Sequence, residues 1–138
     1  MKVADLCQRR AVTVERDAPI SEAARLMADL GVGSLVVVRN GSVCGILTDR
    51  DIVTRGVRHQ RDVLALPVAE LMTADPTVVD PEETVARATV LMAQKQVRRL
   101  PVVAGGKLLG ILALDDVLAL VSDELANLRA AIATTITP

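Results

Sequence analysis

The residues with the clearest chemical potential form the tetrapeptide Thr48-Asp49-Arg50-Asp51, which directly follows an apolar run. The run predicts a buried strand and the tetrapeptide predicts a helix start, so Thr48 and Asp51 meet at a strand-to-helix junction. A carboxylate at such a junction can accept hydrogen bonds from both hydroxyls of a ribose. Backbone amides at a helix start also point outward and favour acceptors. The spacing therefore predicts a sugar-binding pair.

The same spacing also has a purely structural interpretation. Thr-x-x-Asp is close to a capping box, in which Thr48 would cap the helix and Asp51 would bond back to the Thr48 amide. Motifs of this kind are frequent at helix starts. The two roles can alternate, with the pair acting as a cap alone and as a contact when a ligand binds. Both interpretations stay open at the level of the sequence.

The chain contains this motif twice because it is an internal duplication. Residues 5–54 align with residues 70–119 after a shift of 65 positions without a gap, and 15 of the 50 pairs are identical. Asp116 repeats Asp51, but Ala113 stands where Thr48 stands in the first copy. We therefore expect the site with Thr48 and Asp51 to bind more tightly than the Asp116 site, unless phosphate contacts reverse the order.

Each copy predicts the order strand, helix, strand, strand, helix. Helical spacing runs from Ile20 to Leu30 and again from Val85 to Met92. The Val-rich runs that follow predict buried strands, and each leads into a dipeptide that favours a hairpin turn, Asn40-Gly41 or Gly105-Gly106. In the partner strands, Gly45 and Gly110 would allow close approach of backbone or ligand.

These elements predict an α+β chain with small sheets, built from two β-α-β-β-α repeats related by pseudo-twofold symmetry. A repeat of about 50 residues is marginal alone, so the two should share a core. We divide the chain into a first repeat with linker at 1–64, a second repeat at 65–121, and a C-terminal helix and tail at 122–138. That helix is expected to start at Ser122, and its stripe of Leu125, Leu128 and Ile132 to dock on the body or on a partner chain.

Composition argues against several classes of function. The net charge is −1 and the chain has no Phe, Tyr or Trp, which makes nucleic-acid binding unlikely despite the basic run of Arg50, Arg55, Arg58 and Arg61. Cys7, Cys44 and the single histidine, His59, form no metal-binding pattern, so we expect no metal. A disulfide stays open, but two buried thiols in a reducing cytosol are the favoured interpretation. No nucleophile is paired with a base, so we expect no enzyme.

The chain also lacks the sequence features of export and membrane insertion. It shows no apolar stretch typical of a signal peptide and no run of membrane-spanning length. We therefore expect a cytoplasmic protein with no membrane partner.

Three motifs carry a resemblance to a known family: Gly45–Asp51, Val97–Val103 and Gly110–Leu112. Together with the duplication, residues 5 to about 121 resemble a tandem pair of CBS (cystathionine β-synthase) domains. The resemblance implies two units packed sheet to sheet, with two clefts that commonly bind adenine nucleotides or related adenosyl ligands. It further implies a regulatory role without catalysis and a homodimer in the form of a disc. Without a second domain, the chain resembles a stand-alone CBS-pair protein that needs no cofactor.

The resemblance also assigns roles to particular residues. The family's nucleotide-binding pattern, Gly-apolar-apolar-Thr/Ser-x-x-Asp, matches Gly45 to Asp51 fully, whereas the second copy, Gly110 to Asp116, departs from it at Ala113. Basic residues before the central strand contact phosphate in the family, and Arg98 and Arg99 stand there, where the first copy has Gly33 and Ser34. The positions implied for adenine are Thr77 and Val97 for the Asp51 cleft, and Val12 and Val32 for the Asp116 cleft. The alternative for Arg98 and Arg99 is that they are simply solvated at the entrance of the strand. The alternative for the four positions assigned to adenine is ordinary core packing.

Two functions remain in competition on this evidence. One is a ligand-sensing regulatory module that binds AMP, ADP, ATP or a related adenosyl ligand between the repeats and transmits binding to an unidentified partner. The other is a structural dimerisation or adaptor module with empty clefts. The loss of the hydroxyl at Ala113 favours the adaptor, whereas Thr48, Asp51, Arg98 and Arg99 favour the sensor.

Overall fold

The computed structural model describes residues 1–59 and 62–136. Two similar α+β units are joined by short helical turns, which confirms the predicted fold class. The helices and strands are α1 (Val3–Leu6), β1 (Thr13–Glu15), α2 (Ile20–Leu30), β2 (Ser34–Arg39), β3 (Ser42–Thr48), α3 (Asp49–Asp51), β4 (Thr73–Ala74), α4 (Val85–Lys95), β5 (Arg99–Ala104), β6 (Lys107–Ala113) and α5 (Leu114–Ile136). A π-helical turn at Ile52–Gly56 and a 3₁₀ turn at Val57–His59 continue α3, and further 3₁₀ turns lie at Val63–Ala65 and Val68–Glu70.

The two central hairpins form as the sequence predicts. Strands β2 and β3 pair antiparallel, as do β5 and β6. The turn residues all have positive φ angles: 50° and 80° at Asn40 and Gly41, and 57° and 78° at Gly105 and Gly106. Positive φ at both central residues gives the turn whose twist matches the flanking strands. Each hairpin also has one irregularity at the same place in the repeat, after Val37 and after Val102.

The outer edges of the sheets are exchanged between the copies. The first sheet has the order β1-β2-β3-β4, and its last strand, β4, comes from the start of the second copy. In return, Gln8 near the N-terminus pairs with Ile111 of β6, through N–H···O bonds of 2.8 and 2.9 Å. Thr73 pairs with Ile46 in the first sheet, so the two exchanges occupy equivalent positions in the repeat.

The hydrophobic cores are exchanged in the same way. The first core, around Val14, Met27 and Leu47, also contains Val68 and Leu71. The second core, around Val79, Met92 and Leu112, contains Val3 and has Leu6 packed against it. Val3 and Val68 are equivalent residues, and both are fully buried. Each unit is therefore completed by a segment that precedes the other unit in sequence.

The amphipathic helices α2 and α4 end in the same left-handed turn. Gly31 follows α2 with φ 64° and Gln96 follows α4 with φ 55°. Glycine adopts this conformation without strain, whereas glutamine does so less readily. Thr84 caps the start of α4 by accepting a hydrogen bond from the Arg87 amide. Both helices place their apolar face on a core and bring residues 31–34 and 96–99 to the space between the units.

The C-terminal helix differs from the prediction of a new helix at Ser122. Helix α5 runs without a break from Leu114 to Ile136. No Gly or Pro occurs in this range, and Leu and Ala are frequent in it. Because serine is tolerated inside a helix, Ser122 does not interrupt the ladder of backbone hydrogen bonds. Residues 137–138 of the predicted tail lie outside the described residues.

Candidate functional site

A cleft of about 700 Å³, here called the Asp51 cleft, lies between the two units. One side is formed by the end of β3, the start of α3 and the turn before β2; the other is formed by the segments before β5 and after β4. The predicted site residues that line it are Ser34, Thr48, Asp51, Thr77, Val97, Arg98 and Arg99.

Thr48 and Asp51 form a complete capping box at the start of α3. The Thr48 amide donates to Asp51 Oδ2 over 3.0 Å, and the Asp51 amide donates to Thr48 Oγ1 over 3.0 Å. The cap exists because β3 ends at Thr48 in extended geometry, which leaves the first helical amides unpaired. The structural interpretation of the motif is therefore confirmed, while the same two residues face the cleft.

The Asp51 side chain is only 16% exposed and its second oxygen is partly committed. Asp51 Oδ1 lies 3.8 Å from Arg55 Nε. The Arg55 guanidinium is itself fixed, because Nη1 donates to the carbonyl oxygens of Leu71 at 3.3 Å and Met72 at 3.0 Å. Arg55 therefore connects the start of α3 to the backbone of residues 71 and 72, and it is not part of a free basic surface. Of the other arginines in the predicted basic run, Arg61 lies outside the described residues.

The opposite wall of the Asp51 cleft combines a flat apolar part with cationic groups. Thr77 and Val97 are half-buried, whereas Arg98 is exposed and Arg99 is intermediate. The Arg98 guanidinium lies 4.0 Å from Asp115 Oδ1, and both side chains are about three-quarters exposed. An ion pair that exposed contributes little stability, so Arg98 can exchange Asp115 for another anion at small cost.

A second, smaller cleft of about 350 Å³, here called the Asp116 cleft, lies between the units at the equivalent place. Predicted residues in its lining are Val12, Val32, Ser34, Arg99 and Asp116. Ser34 and Arg99 thus line both clefts.

The acid of the Asp116 cleft is bound by a neighbour. Gln8 Nε2 donates to Asp116 Oδ2 over 2.8 Å. Ala113, where the first copy has Thr48, is buried and brings no hydroxyl. The Asp116 cleft therefore offers a smaller volume than the Asp51 cleft, and its carboxylate, like that of Asp51, already accepts a hydrogen bond.

Several polar residues of the clefts were missed by sequence reasoning. Lys95 and Asp75 line the Asp51 cleft, beside Asp49 and Arg50 of the tetrapeptide already singled out, and Gln8 lines the Asp116 cleft. Lys95 ends α4, and its place beside the cleft follows from the left-handed turn at Gln96. Gln8 lies four positions before Val12, just as its equivalent, Thr73, lies four positions before Thr77, so both come shortly before a residue expected to contact adenine.

Gly45 and Gly110, the two glycines of the partner strands, allow another segment of backbone to approach closely. A Cβ on Gly110 would overlap the carbonyl oxygen of Gln8, and a Cβ on Gly45 would lie 3.0 Å from the carbonyl oxygen of Thr73. Of the two possible reasons for these glycines, the close approach of the exchanged backbone is therefore the one that the structure shows.

The two cysteines, which were the remaining candidates for chemistry, form no site with each other or with other groups among the described residues. Cys7 and Cys44 are free thiols of intermediate exposure, and burial raises the pKa of the Cys44 thiol. Among residues 1–59 and 62–136, no cluster of His, Cys, Asp and Glu could hold a metal ion. The helices of this part of the chain include none that is both long and apolar enough to cross a membrane.

Comparison with known proteins places this geometry in a family. The CBS domain model matches residues 3–58 and 68–123, so the chain belongs to the CBS domain family and carries two copies of the domain. The CBS domain-containing protein YhcV of Bacillus subtilis is 41% identical over 114 residues, which are 83% of this chain and 81% of that protein.

Solved structures show the same architecture. A protein with CBS domains from Burkholderia ambifaria superposes with a TM-score of 0.81 at 33% identity, over 88% of this chain and 93% of that one. A CBS domain pair solved with 5′-methylthioadenosine and S-adenosyl-L-methionine shares the fold, with a TM-score of 0.81 at 22% identity, over 90% and 98% of the two chains. By contrast, the chain spans 22% of the length of longer relatives from Arabidopsis thaliana.

Proposed function

We propose that this CBS pair is a regulatory, non-catalytic module that senses adenine nucleotides in the Asp51 cleft. The single observation that supports it most is the composition of that cleft, in which a carboxylate of one unit faces arginines of the other. Asp51 would accept the ribose hydroxyls, Thr77 and Val97 would flank adenine, and Arg98 and Arg99 would bind phosphate through their planar donor groups.

A ligand held in this way would contact both units. It would favour the arrangement of the units in which the carboxylate and the arginines are correctly spaced, and could shift their equilibrium only by that difference in affinity. We propose that the module acts in the cytoplasm as a homodimer that passes this change to a regulated partner. Lys95 and Arg50 also line the cleft, together with Asp49 and Asp75, so the support for a ligand with phosphate comes from Arg98 and Arg99.

The proposed order of the sites is the Asp51 cleft first and the Asp116 cleft second. In the second cleft, Val12 and Val32 would flank the base and Asp116 the sugar, but this cleft has about half the volume of the first and Ala113 brings no hydroxyl to it. The missing hydrogen-bond partner lowers the binding free energy that this cleft can supply. An adaptor with ligand-free clefts is the competing function, and Ala113 is the observation in its favour.

The proposal is tested by thermal shift and calorimetry with AMP, ADP, ATP and S-adenosylmethionine. A ligand that binds only the folded chain raises the melting temperature with concentration. Asp51→Asn keeps an acceptor for the Thr48 amide but removes the charge and one acceptor for ribose. We expect it to weaken nucleotide binding by about tenfold to a hundredfold while the chain remains folded.

Asp116→Asn is the matched control, because it makes the same change in the other cleft. It should leave the tighter binding event unchanged. The adaptor function would be favoured if millimolar nucleotide produced no shift in the wild-type chain. Full nucleotide affinity in Asp51→Asn would remove Asp51 from the site.

A further inference from the structure

Helix α5 carries an apolar stripe that no part of its own chain covers among the described residues. The side chains of this stripe are between 44% and 60% exposed, and they are Leu118, Val121, Leu125, Leu128 and Ile132. From Val121 to residue 135 every side chain of the helix is exposed. A helical segment of this length is roughly 22 Å long. Docking of the stripe on the body, one of the two expectations from sequence, is therefore wrong.

The spacing of the stripe is that of a coiled coil. Successive residues are separated by three, four, three and four positions, which places Leu118, Leu125 and Ile132 at a and Val121 and Leu128 at d of a heptad. An alternation of three and four keeps one narrow seam facing a partner helix. A surface that packs on a globular core usually has a wider apolar face. The segment thus has the pattern of a helix that pairs with another helix.

The flanking charges identify the partner as the same helix in parallel orientation. In this register Glu124 is at g and Arg129 is at e of the following heptad. In a parallel coiled coil, g of one helix lies beside the next e of its partner, so two identical chains form two Glu124–Arg129 pairs. The charges are therefore self-complementary without any other molecule.

The stripe extends beyond the family's domain and beyond the repeat. The CBS domain model ends at residue 123, so Leu125, Leu128 and Ile132 lie outside it. In the first copy the equivalent helix ends at His59, so only the second copy carries this extension. Its function is accordingly separate from that of the clefts.

We propose that residues 118–132 form a parallel two-stranded coiled coil with the same helix of a second copy of this chain. This assigns a surface to the homodimer in the proposed function, and it does not depend on nucleotide binding. Burial of leucine at both a and d, together with the self-complementary charges, supplies the driving force.

The first experiment measures the mass of the full chain by sedimentation at micromolar concentrations. We expect the wild type at twice the chain mass of 14.6 kDa. Leu125→Ser combined with Leu128→Ser should raise the dimer dissociation constant at least about a hundredfold, since two buried leucines are lost from each chain. Leu64→Ser, which changes a leucine that is equally exposed at 60% but outside α5, is the matched control.

The second experiment tests orientation by charge reversal. Glu124→Arg alone and Arg129→Glu alone should each raise the dissociation constant about tenfold, because two attractive pairs become repulsive. A mixture of the two variants should form heterodimers at wild-type affinity, since both Arg–Glu pairs are then restored. Circular dichroism confirms that each variant is folded.

Several outcomes would overturn the proposal. They are a monomeric wild type, a serine variant that dimerises as tightly as the wild type, and a charge-reversed mixture that stays as weak as its components. The thermal shift with nucleotide serves as an independent readout, because we expect all α5 variants to keep it. Its absence in every variant and in the wild type would count against the nucleotide sensor and leave the coiled coil untouched.

Discussion

At the scale of single residues, one difference between the two copies is the hydroxyl of Thr48, which is absent at the equivalent Ala113. The Thr48 hydroxyl oxygen accepts a hydrogen bond of 3.0 Å from the Asp51 amide. Ala113 has no hydroxyl, so it offers the Asp116 amide no such acceptor. The Asp51 carboxylate accepts a hydrogen bond from the Thr48 amide at the start of its own helix, and the Asp116 carboxylate accepts one from Gln8 of a distant segment. The first acid is preorganised locally and the second through tertiary contact.

Removing the hydroxyl at position 48 and adding one at position 113 should change the free energy of unfolding in opposite directions. We expect Thr48→Ala to lower the free energy of unfolding by about 1 kcal/mol, the usual loss for a capping side chain. Ala113→Thr should raise it by a similar amount, because the threonine can cap α5 as Thr48 caps α3. Urea unfolding of the two variants and of the wild type measures both effects. A loss of stability in Ala113→Thr would mean that the buried wall at this position cannot accept the larger side chain.

At the scale of elements, two glycines allow the exchanged segments to reach their sheets. Gly110 faces the backbone of Gln8 and Arg9, whereas Gly45 faces the flexible side chain of Met72 as well as the Thr73 carbonyl. A Cβ at Gly45 would lie 2.5 Å from Met72 Sδ, and this thioether can move aside. The backbone of residues 8 and 9 has no such freedom while it stays paired with β6.

We therefore expect Gly110→Ala to be more destabilising than Gly45→Ala. The first should cost about 2–3 kcal/mol, since backbone must shift, and the second about 1 kcal/mol. Chemical denaturation gives both values, and Gly33→Ala serves as a control because its Cβ would meet only the exposed Asp49 side chain at 3.2 Å. Equal losses for Gly45→Ala and Gly110→Ala would contradict this account.

The elements that sequence predicted well are those specified by local residues. Asn40-Gly41 and Gly105-Gly106 determine their turns because their own φ preferences select the hairpin. The pairings of Gln8 with Ile111 and of Thr73 with Ile46 were not predicted, because a short edge segment that pairs with a strand far along the chain leaves no periodic signal. The unbroken α5 was missed for a related reason, since Ser122 resembles a cap locally while continuous packing overrides it. The clefts were predicted through family resemblance and duplication rather than through local pattern.

At the scale of the whole molecule, exchange makes the two units depend on each other. Val3 belongs to the core of the second unit and Val68 to that of the first, and both are fully buried. A defect in either segment therefore weakens a unit that is distant in sequence. The described chain should accordingly unfold as one cooperative body.

Truncation of either valine tests this dependence. Val3→Ala and Val68→Ala should each lower the free energy of unfolding by about 2 kcal/mol, the sum of lost transfer energy and a small cavity. Fluorescent dye binding and circular dichroism should follow a single transition in both variants. Two separate transitions, or a negligible effect of Val3→Ala, would show that the units fold independently.

The exchanged edges also have an evolutionary consequence. In the present arrangement, the segment that precedes each copy completes the sheet of the other copy. A single copy on its own could therefore complete its sheet only with the same segment of a second polypeptide. An ancestor with one copy would thus have been an intertwined dimer. Gene fusion converts that encounter into an intramolecular one, at an effective concentration on the order of millimolar for a short connection. Once joined, the two copies no longer need to be identical, and they now carry threonine at position 48 and alanine at the equivalent position 113.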